Sequence, residues 1–185
     1  MTRTIVNLVA FQAGWLACVL SAANGMPWAG FIAALAAVAL HLLLAFNAAA
    51  EIRLVALALV LGFVFDSALL ATGWVSYPSG VLSAYVAPYW ILAMWGLFAT
   101  TLNVCMSWIK RSLPLAAVLG AVCGPLSFLA GARLGGIALL EPFPALAALA
   151  LIWAIAMPTL VVAARRHNGV EATPAALRLG IVTQE

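Results

Sequence analysis

Residues 53–74 read RLVALALVLGFVFDSALLATGW, and only Arg53 and Asp66 in that stretch carry charge. A helix needs about 20 apolar residues to cross the hydrocarbon core of a bilayer, so this run reads as one crossing. Working outward, five more stretches have the same character, at about 4–24, 28–46, 88–109, 113–132 and 144–163. Turn signals separate them: Asn24-Gly25-Met26-Pro27, Ser76-Tyr77-Pro78-Ser79-Gly80, Lys110-Arg111 before Leu113-Pro114, and Glu141-Pro142-Phe143-Pro144. The expectation is an all-α polytopic membrane helix bundle of six transmembrane helices. Residues 1–166 form one domain and residues 167–185 a short cytoplasmic tail, in which Thr173-Pro174 reads as the start of a helical turn.

Composition agrees. Of 185 residues, 67% are hydrophobic and 7% charged, against about 25% charged in an ordinary soluble domain. A soluble fold of this length lacks the polar residues to cover its exterior, so hydrocarbon must solvate most of the chain. Residues 4–25 are read as a span and not a secretory signal, because the apolar stretch is long for a signal core.

The net charge of +3 comes from scattered residues at the ends of apolar runs. No basic stripe tracks phosphates, so nucleic acid is not expected as a partner. Placing the N-terminus inside puts Arg3, Arg53, Lys110, Arg111, Arg165, Arg166 and Arg178 on the cytoplasmic side and Arg133 alone outside. That bias predicts both termini in the cytoplasm, with Trp28, Trp74 and Trp90 near the outer interface and Trp108 near the inner one. Cys18, Cys105 and Cys123 lie within apolar segments and read as small core residues.

Apolar helices gain little by associating in hydrocarbon, so small residues and interhelical hydrogen bonds mark the contacts. Ala10, Gly14, Ala17 and Ser21 share one face of the first span. Gly62, Asp66 and Gly73 share one face of the third, and Gly120, Gly124, Ser127 and Gly131 one face of the fifth, where Pro125 predicts a kink. In the fourth span Tyr89, Gly96, Thr100, Asn103 and Ser107 form a polar stripe, while Met94, Phe98 and Leu102 lie elsewhere on the wheel. The stripe serves either as interhelical glue or as the lining of a polar pocket.

Ionisable and polar groups within spans are the candidate functional residues: Gln12, His41, Asp66, Thr100, Asn103 and Arg133. Asp66 is either a carboxyl that fixes the bundle or a site for a proton, a cation or a ligand head group. Depth allows a cluster of His41, Gln12 and Asn103. Arg133 reads as a snorkelling interface anchor or a partner of Asp66 or Glu141. His41 and His167 are the only histidines, and no Gly-rich phosphate loop or dinucleotide fingerprint is present. The residues suggest no cofactor, no metal and no known catalytic constellation.

Three stretches carry a resemblance: Phe11-Gln12-Ala13-Gly14-Trp15, Trp95-Gly96-Leu97-Phe98-Ala99-Thr100-Thr101-Leu102, and Gly124-Pro125-Leu126 through Ala130-Gly131-Ala132-Arg133-Leu134-Gly135. In these the chain resembles a bacterial family of small multi-span inner-membrane proteins known only as a domain of unknown function. The resemblance implies one multi-pass domain in the bacterial inner membrane. It also implies a link to fatty-acyl chemistry, because such genes can lie near enzymes that modify acyl chains. The leading expectation is a protein that binds, or helps to process, a lipid-like amphiphile within the bilayer, with membrane lipids and another membrane protein as partners. The alternatives are a small solute-binding transport subunit, architecturally similar to those of energy-coupling-factor vitamin transporters, and a structural subunit of a larger membrane complex. A lateral opening between helices would favour lipid work, and an outward pocket over Asp66 transport.

Overall fold

The computed structural model describes residues 2–171. Within them the architecture is all-α, with six helices: α1 (Thr2–Ala23), α2 (Pro27–Leu43), α3 (Ala48–Ala71), α4 (Tyr89–Leu102), α5 (Leu113–Arg133) and α6 (Pro142–Arg166). A 3-10 segment, Ser107–Arg111, follows α4. Two short strands, β1 (Val75–Ser76) and β2 (Ala138–Leu139), pair antiparallel with Val75 opposite Leu139.

Helix ends follow local chemistry. Asn47 caps α3 by accepting from the Ala50 N–H, and Ser112 caps α5 by accepting from that of Leu115. Pro27 and Pro142 occupy first-turn positions, where their missing N–H leaves no bond unmade. Gly25, at φ 73°, supplies the left-handed residue that turns α1 into α2. The two helices then close on Gly30, where a Cβ would strike the Cys18 Cα and the Ala17 carbonyl.

Helices α1, α3, α5 and α6 are long and apolar enough to cross a membrane. The other two are shorter, at 17 residues for α2 and 14 for α4. The expected stretch 88–109 is therefore divided, with α4 ending at Leu102 and the chain turning before Ser107. Thr100 and Thr101 donate their hydroxyls to the carbonyls of Leu97 and Phe98, and Asn103 turns its side chain to other elements. Side chains that bond to nearby backbone compete with helix propagation. Asn7 on α1 covers the exposed end, donating to the Thr100 carbonyl at 3.2 Å and accepting from the Cys105 N–H at 3.4 Å. Irregular backbone in apolar surroundings needs such protein partners.

The short α4 is the hub. Ten of its 14 residues are buried, and it packs on α1, α2, α3 and α6. Around it the remaining helices pack in the order α1–α2–α3–α6–α5. The ring does not close, because α5 leans on α6 and the 3-10 segment and leaves a gap towards α1.

One end of the bundle holds the start of α1, the α2–α3 turn, the 3-10 segment and residues 167–171, tied by Arg3 to the Leu44 carbonyl and by Asn47 N–H to that of Gly169. The opposite end holds β1, β2 and the 75–88 segment, where Ser79 donates to the Ala22 carbonyl. Trp90 is fully buried there and donates to the Ser79 carbonyl, so it packs inside the bundle and is not an interfacial ring. The exterior is lined by large apolar side chains such as Val9, Val60, Val118 and Leu151, all exposed. That is the surface a hydrocarbon solvent suits. Thr173, Pro174 and Arg178 lie outside the described residues.

Candidate functional site

The polar residues separate into two assemblies. At the end that holds the N-terminus, Glu51 is fully buried in the first turn of α3. Its Oε2 accepts from His41 Nε2 at 2.8 Å. Its Oε1 accepts from Asn103 Nδ2 at 2.8 Å and from the Gly169 N–H at 2.7 Å. Asn103 also donates to the His167 carbonyl and accepts from Lys110 Nζ at 3.0 Å. Three separate pieces of chain thus converge on one carboxylate. A buried charge is tolerable when paired and hydrogen-bonded in this way, and the helix N-terminus favours negative charge.

This corrects the expected cluster of His41, Gln12 and Asn103. His41 and Asn103 do join, but through Glu51, whereas Gln12 is exposed on the outside of α1. Glu51 was legible only as a carboxylate near a helix start, just before the apolar run. Nothing in its local pattern shows that the C-terminal segment folds back over it.

The stripe on α4 likewise becomes structural contacts. Tyr89 meets Phe31 edge to face, Gly96 faces Val55 and Leu59 of α3, and Asn103 enters the Glu51 assembly. Thr100 bonds within its own helix and, with His41, borders a small cleft of about 40 Å³ between α1, α2 and α4.

The larger cavity, about 330 Å³, lies against the apolar face of α4. That volume falls in the range of ligand sites, about 300–1,000 Å³. Its floor is Ile91, Met94, Trp95 and Phe98 of α4 with Trp153 of α6. One wall is Phe11, Trp15 and Val19 of α1, and the other runs along α5 from Leu119 to Phe128, about 14 Å of helix. Cys123 and Ser127 on that wall are exposed, so the cavity is a groove that opens sideways through the gap between α1 and α5.

Asp66 is the acidic residue among those lining this groove, 2% exposed. Trp95 donates its indole N–H to Asp66 Oδ2 at 2.5 Å. Gly62, one turn before Asp66, makes this possible, because a Cβ there would run into the Trp95 indole. Trp153 then stacks on Trp95 with centroids 4.6 Å apart and planes 9° from parallel. It sits over Gly124 of α5, where a Cβ would again collide with its ring. The two glycine faces thus seat two tryptophans, one bonded to the carboxyl.

Two shielded donors, Tyr77 Oη and Trp153 Nε1, have no hydrogen-bond partner among the described residues. Burial, and secondarily the Asp66 charge, pushes the Tyr77 hydroxyl well above its ordinary pKa, so it stays a donor. Arg133 is exposed at the end of α5 and forms no ion pair with Asp66 or Glu141 among the described residues.

Trp95 and Trp153 escaped the sequence reading, although a signal for the first existed. Trp95 lies about 9 Å along α4 from its start and Asp66 about 8 Å from the end of α3, so the two share a depth. A tryptophan N–H in an apolar interior needs an acceptor, and Asp66 is the intramembrane carboxylate at that level.

Residues 4–159 match the family described as protein of unknown function (DUF2878). No curated protein and no solved structure matches the chain.

Proposed function

The chain belongs to this family of unknown function, and from that premise we propose that it is a multi-pass protein of the bacterial inner membrane whose lateral groove holds a lipid-like amphiphile. The observation that carries this reading is the open side of the helix ring. An apolar trough of about 330 Å³ that faces outward between two apolar helices suits an acyl chain arriving from the bilayer. Each buried methylene contributes about 0.8 kcal/mol relative to water. A chain already in lipid gains less, so selectivity comes from fit and from the polar end at Asp66.

In this reading all six helices cross, with the Arg- and Lys-rich end in the cytoplasm. The shortness of α2 and α4 is compatible with that, since α4 is shielded by its neighbours and need not match the full hydrocarbon thickness. Apolar walls favour a lipid tail over a water-soluble solute. A trough that exposes one side of its occupant suits presentation of an acyl chain to an enzyme that modifies it.

The test is mass spectrometry of lipids that co-purify with the full-length protein after mild detergent extraction. A single-chain species enriched over the bulk lipids is expected. It should be lost when Cys123→Phe and Ser127→Phe together fill the mouth of the groove. Equal lipid profiles for wild type and the filled variant would reject the groove as the site.

A further inference from the structure

We propose that the groove selects amphiphiles whose head carries no negative charge and donates a hydrogen bond, with Asp66 as the acceptor. This rests on the groove reading above and specifies its polar end. Asp66 Oδ2 is engaged by the Trp95 indole, whereas Oδ1 has no hydrogen-bond partner among the described residues. The carboxyl is nearly enclosed and still borders the groove. An occupant's head is therefore what reaches its remaining acceptor.

Charge sets the class of head. Among the described residues no lysine or arginine lines the groove. A phosphate or carboxylate head would sit beside Asp66 with no compensating cation, in a medium that screens poorly. An ester or other acceptor-only head would leave the carboxyl oxygen unsatisfied in apolar surroundings. A hydroxyl supplies the missing donor, and an ammonium supplies it together with an opposite charge. The unpartnered N–H of Trp153 and hydroxyl of Tyr77 are shielded from contact with an occupant, so they do not offset that preference.

The experiment uses the full-length protein carrying Trp28→Phe and Trp108→Phe, which removes the two exposed indoles. It is held in phosphatidylcholine nanodiscs, with a brominated octadecyl alcohol that quenches the groove tryptophans Trp15, Trp95 and Trp153. Octadecanol, octadecylamine, stearic acid and methyl stearate compete with it at about pH 9, where a carboxylic head is ionised. The alcohol or the amine should compete roughly three- to tenfold better than the methyl ester, the worth of one net hydrogen bond, and the acid should be weakest. Which of the two leads identifies the head as neutral or cationic. Asp66→Leu should level the four, and the wild-type series decides by itself if that variant does not fold. Four equal competitors, or the acid as the best, would overturn the head-group inference and leave the groove standing. Quenching that no chain displaces, or that persists unchanged with Cys123→Phe and Ser127→Phe, would instead remove the groove reading itself.

Discussion

Glu51 and Asp66 are both buried carboxylates on α3, and their partners assign them different work. Glu51 has both oxygens occupied by side chains and backbone from separate elements, so its burden is cohesion. Asp66 keeps an oxygen for something else. Asn103 belongs to the first kind, since its amide bridges Glu51, His167 and Lys110. Asn103→Leu is expected to destabilise the protein by about 1–3 kcal/mol, because it leaves buried charged and polar partners unsatisfied. Chain binding in the groove should persist. A melting curve beside a binding isotherm checks both halves, and lost binding at unchanged stability would place Asn103 in the functional site instead.

At the scale of elements, the glycines of α3 and α5 matter for what lies against them. The Gly62 contact is a rigid indole, while the Gly14 contact on α1 is the flexible tip of Leu97. Gly62→Ala should therefore cost about 1–3 kcal/mol through overpacking and push Trp95 off Asp66. Gly14→Ala should cost clearly less, because Leu97 can change rotamer. Thermal unfolding of the two variants measures the ordering, and equal losses would show that the indole seat is not rigid. The same comparison separates α4's two faces. Its polar stripe goes into contacts with neighbouring elements at Tyr89, Gly96 and Asn103 and a bond within α4 at Thr100, and its apolar face is left for the groove. Helical periodicity distinguishes the faces but does not say which of them the other helices will cover.

At the scale of the whole molecule, the described residues form a ring of five helices around α4 with one seam, tied off at one end by the Glu51 assembly and at the other by the β1–β2 pair. Residues 82 and 171 lie at opposite ends and are both exposed. In intact cells a membrane-impermeant maleimide should label Leu82→Cys and spare Glu171→Cys, each in a chain that carries Cys123→Ala. The inverse pattern would reverse the proposed orientation. Labelling of both would break the reading of six crossings with the two termini on one side.

Composition and hydropathy alone determined the all-α class, the approximate places of the long apolar helices and the membrane-suited exterior, because each depends on local runs and on the solvent that such runs require. They did not show that the 88–109 stretch breaks after Leu102. Asp66 stood out for the same reason, as a charge inside an apolar run. The glycine faces and the polar stripe were visible as patterns, but their partners were not. Tertiary structure decided that Glu51 gathers three other pieces of chain, that Gln12 faces outward and that Trp90 is buried. It also decided that α5 stands away from α1. Those outcomes depend on which helices become neighbours. In an apolar chain that choice is set by close fits such as indole over glycine and carboxylate to amide, between residues far apart in sequence.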